Sequence, residues 1–293
     1  MAALRALALL LAALALTGCG ERGEPLGDLS AYPVTVEGAA ESQTVVEAAP
    51  ERIAALTLAA AELVVALGAG GQLVGVPSGL DLPETAGAAR VVRPSGRVDV
   101  DAVRELDPDL VIASPETDPR ALAAAGEGAA VYVQPDRTLQ DVVRATIELG
   151  FLLGDPPRAR RLATSIRDEL GRVERRVREL PEVSVFADTG FFVTVGEETL
   201  AAELVRRAGG ELVGLDASGS PLDACDVLDL DPDVVLRILD EASPRPFELE
   251  FERCGAASLP RVEDVPTDLA TVAGPRVGEA LDTIARALHD DAL

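Results

Sequence analysis

The apolar residues of this chain fall mostly into short unbroken runs rather than strict alternation. Ile53-Ala54-Ala55-Leu56, Leu110 to Ala113, Val131 to Val133 and Val183 to Ala187 are such runs. Runs this short, bounded by polar or turn-forming residues, fit strands covered on both faces, as in parallel sheets. Gln72 to Val76, Glu211 to Gly214 and Val234 to Ile238 add further strands. Tyr32 to Val46 alternates in part (Val34, Val36, then Val45, Val46), which predicts short edge strands. Helical stretches separate the runs. Ala59 to Leu67 stops at Gly68, Val100 to Leu106 follows the N-cap residue Asp99, and Leu200 to Arg207 and Val277 to Leu288 complete the set. Strands alternating with helices predict an α/β fold built on parallel sheets.

The middle of the chain differs. Thr138 to Leu153 is amphipathic and ends at Gly154, and Asp155-Pro156-Pro157 restarts the chain with prolines suited to a first helical turn. From Arg158 to Leu180, Leu162, Ile166, Leu170, Val173, Val177 and Leu180 recur at spacings of three and four, with Arg and Glu between them. That stripe predicts one helix roughly 35 Å long, ended by Pro181. The halves on either side echo each other. Ala61-Glu62-Leu63-Val64 with Gly70 to Gly75 returns as Ala202-Glu203-Leu204-Val205 with Gly209 to Gly214. Leu106-Asp107-Pro108-Asp109 returns as Leu230-Asp231-Pro232-Asp233. Two echoes in the same order predict two lobes of one architecture. The expected organisation is an N-terminal α/β lobe over residues 32–153, a linking helix over 154–181 and a C-terminal α/β lobe over 182–293. Each lobe is a three-layer, Rossmann-like unit.

Composition narrows the function. Of 293 residues, 50 are acidic and 26 basic, a formal charge of −24, which argues against a nucleic-acid binder. All the basic residues are Arg, there is no Trp, and His289 is the one His. A His-rich zinc site cannot be assembled from one imidazole, and a Ser-His-Asp triad would need that residue near the C-terminus. No enzymatic activity and no cofactor are expected. Asp229 to Asp233 starts like a calcium loop, but Val234 stands where the turn needs Gly. At the N-terminus, Arg5 precedes an apolar run from Ala6 to Leu16, too short for a membrane span. Leu16-Thr17-Gly18-Cys19 resembles the bacterial lipobox. Residues 1–18 are therefore expected to be a signal peptide, Cys19 a lipidated anchor, and residues 19–31 a Gly-rich tether holding an exported body off the membrane. Export permits a disulfide between Cys225 and Cys254, two buried thiols being the alternative.

Several motifs together make the chain look familiar. Pro50-Glu51-Arg52-Ile53 precedes the first strand, and Ala61-Glu62-Leu63 lies in the first helix. Leu67-Gly68-Ala69-Gly70, Leu73-Val74-Gly75-Val76, Leu106 to Val111 and Gly274-Pro275-Arg276 follow in order. The chain resembles the ABC-transporter substrate-binding lipoproteins of the iron-siderophore and cobalamin, or helical-backbone, class, over about Val34 to Ala287. The resemblance implies two lobes joined by a backbone helix and a ligand in the cleft between them. It also implies a partnership with an ABC permease and its ATPase, and a monomer held to the membrane by lipid alone. An exported sensor or scaffold lipoprotein with the same fold is the alternative.

Ligands of open α/β sheets sit beyond the carboxyl ends of the strands. The loops there give the candidates Thr57 and Leu58; Ser78, Gly79 and Leu80; the loop Ser114-Pro115-Glu116; Phe191 and Phe192; Asp216; and Leu269. Arg93 and Arg97 bracket Pro94-Ser95-Gly96 and offer guanidinium groups to an anionic ligand. A ferric siderophore with anionic groups is the ligand these two residues favour. Gly79 to Pro83 resembles a cobalamin-binding loop, with Leu82 where an aromatic residue usually stands. The axial residues that haem would use are reduced to Tyr132, inside a strand, and His289. Permease docking in the family uses one carboxylate per lobe. The first position matches Asp101. The second falls on Cys225, with Asp223 and Asp226 beside it, and Asp226 is taken as the candidate.

Overall fold

The computed structural model describes residues 32–217, 219–239, 247–255 and 258–289. Cys19, the expected signal peptide and the tether lie outside them. Two parallel sheets form two lobes. The N-terminal sheet contains β3 (Ile53–Ala55), β4 (Leu73–Pro77), β5 (Ala89–Val92), β6 (Leu110–Ala113) and β7 (Ala130–Val133), in the order β5-β4-β3-β6-β7. The C-terminal sheet contains β8 (Val183–Asp188), β9 (Gly210–Leu212), β10 (Val234–Ile238) and β11 (Arg261–Val265), in the order β11-β10-β8-β9. Every ladder in both sheets is parallel. The partly alternating N-terminal stretch forms a separate antiparallel pair, β1 (Val34–Glu37) and β2 (Gln43–Val46). The Thr44 hydroxyl donates to the Val131 carbonyl at 2.7 Å and ties this ribbon to β7.

The unbroken apolar runs follow from burial on both faces. Ile53, Ala55, Leu110 and Ile112 face one side, packing with Leu63 and Val64 of α1 (Leu58–Ala66) and Leu149 of α4 (Leu139–Leu152). Ala54, Val111 and Ala113 face the other, with Val103 of α2 (Val100–Glu105) and Ala125 of α3 (Pro119–Ala125). The C-terminal lobe repeats the scheme. Val185, Ala187, Val234 and Leu236 pack against α5 (Pro156–Val177), α6 (Leu200–Arg207), α9 (Thr267–Thr271) and α10 (Val277–His289). Phe186 and Val235 pack with Val227 of α7 (Ala224–Asp229) and Phe251 of α8 (Phe247–Arg253). The two Asp-Pro-Asp segments also serve the same purpose. Asp109 accepts from the backbone N–H of Glu51 at 2.7 Å and of Arg52 at 3.1 Å, and Asp233 from that of Ser184 at 3.0 Å. Each fixes the start of the neighbouring central strand, β3 or β8.

The stripe over Arg158 to Leu180 proves to be a helix of 22 residues, Pro156–Val177. It starts earlier because both prolines fit the first turn, capped by Asp155 accepting from Arg158 N–H at 2.9 Å. It stops at Val177 because the Pro181 ring would strike the carbonyl four residues back and disfavours the α conformation at Leu180. Helix α5 does not bridge the lobes alone. Leu139, Val142 and Val143 of α4 belong to the C-terminal core, whereas Ala145, Leu149 and Leu152 belong to the N-terminal one. In α5 the sequence reverses, with Ala159 in the N-terminal core and Ala163 onward in the C-terminal. The two helices touch at Gly150, where an added Cβ would lie 2.1 Å from the Ala159 Cβ. The link is thus a close-packed helix pair threaded through both cores.

Candidate ligand-binding site

In each sheet the strand order reverses beside the central strand, between β3 and β6 in one lobe and between β8 and β10 in the other. The loops leaving such a switch point diverge and open a crevice. Thr57, Leu58 and Ser114 leave β3 and β6, and with Gln134, Asp136 and Thr271 they line a hollow of about 190 Å³. A second hollow, of about 500 Å³, lies between Glu116, Asp136 and Arg137 of the N-terminal lobe and Thr189, Thr194 and Glu198 of the C-terminal lobe. The two share Asp136 and Thr271 and form one interlobe cleft.

Two contacts beside it join the lobes, and a third ties the start of α4 to the C-terminal lobe. Gln134 Nε2 donates to the Ala273 carbonyl at 3.2 Å, with Gln134 buried. Glu62 of α1 accepts from Arg276 at 2.8 Å just before α10, and Arg276 also reaches Asp268 at 3.0 Å. Glu203 of α6 accepts from the Leu139 N–H at 2.8 Å, at the start of α4. An acidic residue at a helix N-terminus satisfies a free N–H and suits the helix dipole. Glu62 and Glu203 are the equivalent residues of the two sequence echoes, so the internal repeat places one clasp in each lobe.

The electrostatics of the cleft are acidic. Glu116, Asp136 and Glu198 line the larger hollow, with Arg137 the one cation among the described lining residues. Burial pushes the Asp136 carboxyl up from its ordinary value, and the neighbouring Glu116 and Asp141 add to this. The loop after β8 is a tight reversal. Thr189 donates through N–H and hydroxyl to the Val193 carbonyl at 2.8 and 2.9 Å, and Gly190 N–H donates to Asp188 at 3.0 Å. Phe191 and Phe192 at its tip have left-handed φ angles of 55° and 57°. Phe191 is 86% exposed, whereas Phe192 packs on Phe251 with ring centres 6.0 Å apart.

Of the residues expected at the ligand, Thr57 and Leu58 line the cleft, and Phe191 stands between loop residues that do. The loop Ser78-Gly79-Leu80 lines neither hollow: Gly79 holds a φ of 87° and Leu80 is buried in the N-terminal core. Leu269 is likewise buried in the C-terminal core. Asp216 is exposed in a short 3-10 turn. Arg93 and Arg97 form an exposed turn beyond β5, with Arg93 3.6 Å from Asp99, and neither lines a hollow. Asp101 and Asp226 are exposed in the first turns of α2 and α7, Asp226 in a reciprocal cap with Asp223. Cys225 and Cys254 are joined by a disulfide. Tyr132 is buried in the N-terminal core and donates to Glu148 at 2.6 Å, and His289 is buried 2.8 Å from the Ala208 carbonyl. Gln134, Asp136 and Thr194 were not among the sequence candidates. Gln134 and Asp136 had a signal, since they directly follow a recognised strand, Val131 to Val133.

Among the described residues no helix is long and apolar enough to cross a membrane, and no cluster of His, Cys, Asp and Glu has the makings of a metal site. The chain is 26% identical over 97% of its length to an uncharacterized ABC transporter substrate-binding lipoprotein, YvrC, of Bacillus subtilis, covering 96% of that protein. It is 28% identical over 88% of its length to a cobalamin-binding protein of Halobacterium salinarum, covering 75% of it. Its fold matches the periplasmic vitamin B12 binding protein BtuF of Vibrio cholerae with a TM-score of 0.69, at 22% identity, over 82% of this chain and 96% of that one. The sequence pattern of the periplasmic binding proteins matches residues 53–246. The chain therefore belongs to the periplasmic binding protein family, whose members bind solutes rather than transform them.

Proposed function

We propose that the protein is the extracytoplasmic receptor of an ABC importer, capturing a bulky metal chelate of the iron-siderophore or corrinoid type and presenting it to a permease. The observation that carries this reading is the interlobe cleft, where facing switch points enclose hollows of about 500 and 190 Å³. Cavities of roughly 300–1,000 Å³ suit small-molecule ligands. The names of relatives that bind cobalamin support the same class. In this reading Thr57, Leu58 and the loop of Phe191 contact the ligand, and the exposed Phe191 ring offers a flat apolar face. Lipidation at Cys19 tethers the body. Asp101 and Asp226, one exposed carboxylate per lobe, meet cationic side chains on the permease.

Calorimetric titration with cyanocobalamin, haemin and a ferric siderophore tests the capture step. The reading predicts saturable one-to-one binding of at least one of them, and no binding by any of the three refutes it. Charge reversal at Asp101 and Asp226 should abolish stimulation of the permease ATPase while leaving ligand affinity intact. Unchanged stimulation removes the docking assignment.

A further inference from the structure

The cleft lining is unbalanced in its hydrogen-bonding groups as well as its charge. Gln134 is 1% exposed, and its Nε2 is committed to the Ala273 carbonyl. The orientation of the amide follows from chemistry, because a flipped side chain would set two carbonyl oxygens against each other. Its Oε1 is consequently a buried acceptor with no partner. Thr194 is 3% exposed, and its hydroxyl also has no partner. A buried polar atom left unpaired is unfavourable, and native structures keep few of them away from functional sites. Both residues line the hollows that meet at Asp136. Beside them stand the Asp136, Glu116 and Glu198 carboxylates, which only accept hydrogen bonds when ionised. The floor thus offers the bare Gln134 acceptor, the Thr194 hydroxyl, which can accept or donate, and three carboxylates against the single cation Arg137.

We infer that the cleft takes a neutral or cationic metal chelate whose rim presents N–H donors, carboxamides or amines, to Gln134 Oε1, Asp136 and Thr194 Oγ1, and that it rejects chelates rimmed by carboxylates. This rests on the receptor function proposed above and assigns the chemical class of its ligand. A carboxylate rim would place like charge against Asp136 and leave Gln134 Oε1 without a donor. An amide rim satisfies both. Such a chelate must also need no axial ligand from the protein. Both tyrosines are engaged elsewhere, Tyr132 with Glu148 and Tyr32 with the Leu152 carbonyl, and His289 is buried against Ala208. The assignment runs opposite to the anionic siderophore that Arg93 and Arg97 suggest in the sequence, and those residues stand outside the lining.

The test compares cyanocobalamin with its acid-hydrolysis product, in which three peripheral carboxamides have become carboxylates, by calorimetric titration of the whole folded chain. Haemin and an anionic ferric siderophore are titrated in parallel. The amide form should bind at least about tenfold more tightly than the tricarboxylate, the scale on which opposed like charges discriminate. Asp136→Asn should narrow that ratio by a few-fold by relieving the repulsion. Thr194→Val should weaken the amide form without improving the tricarboxylate. Equal or tighter binding of the tricarboxylate overturns the inference, as does a ratio untouched by Asp136→Asn. Binding of haemin or the anionic siderophore with none of cyanocobalamin overturns it while leaving the receptor function standing. If none of the four binds, the receptor function itself falls.

Discussion

Removing the Arg276 side chain tests whether the lobes are clasped at Glu62. Glu62 has a side chain only 10% exposed and accepts from Arg276 at 2.8 Å and 3.2 Å. It has little room to withdraw, because a Cβ on Gly274 would already lie 2.9 Å from its Oε2. Arg276→Ala therefore strands a nearly buried carboxylate. Breaking a fully buried pair costs about 3–5 kcal/mol, whereas an exposed pair is worth about 0–1 kcal/mol. Arg276 is 38% exposed, which lets water screen the pair, so the expected loss lies between these limits, at about 2 kcal/mol. For a chain of this size that corresponds to roughly 3–4 °C in thermal unfolding. Glu62→Gln removes the stranded charge, so Glu62→Gln/Arg276→Ala should recover part of the loss. The cycle should show coupling of about 1 kcal/mol. A fall in unfolding temperature under about 1 °C for Arg276→Ala, or a cycle without coupling, refutes the clasp.

Other substitutions probe other parts of the account. Asp136→Asn should raise stability near neutral pH, because burial disfavours the native carboxylate. A native pKa raised above 3.8 means the folded state holds its proton more tightly, so the gain should fade as pH falls through that raised value toward 3.8. Melts across this range check the sign. Gly150→Ala should lower stability by about 1–3 kcal/mol, the usual range for overpacking, since the new methyl must displace Ala159; an unchanged unfolding midpoint in urea contradicts the packing of α4 on α5. Phe191→Ala should weaken cyanocobalamin binding by about tenfold, the scale of a lost aromatic contact, with no loss of stability, because the ring is 86% exposed. Titration and melting of one sample separate the two effects.

Much of the architecture was legible because the strongest signals have one physical cause. A strand covered on both faces is apolar at nearly every position, and β6 and β10 lie where their runs predict, with the ion-paired Arg237 the exception in β10. The echoes were legible because each lobe needs the same fittings: an Asp to fix the start of a central strand and a Glu that reaches outside its own helix, Glu62 to Arg276 and Glu203 to the Leu139 N–H. Elements short of apolar residues were not read. Strand β11, Arg261-Val262-Glu263-Asp264-Val265, is an edge carrying charge, and Arg237 of β10 meets Asp264 on it at 2.6 Å. Strand β5, Ala89–Val92, is an edge with Arg90 in its middle. At the site, the rule that ligands lie beyond strand ends led to Thr57 and Leu58. It also led to Leu80 and Leu269, because position in a loop does not say which way a side chain turns. Gln134 was passed over for another reason, although it directly follows the recognised strand Val131 to Val133. A single Gln carries no motif, and its role emerges only when Ala273, far along the chain, takes its N–H and leaves its oxygen bare.

The anomalous scattering of cobalt locates the ligand most directly. Crystals of the protein with cyanocobalamin should give one strong cobalt peak between the lobes, over Thr57, Gln134 and Asp136 on one side and Thr194 on the other. A peak outside that cleft, such as in the hollow lined by Asp229, Asp231 and the Cys225–Cys254 disulfide, would contradict the account.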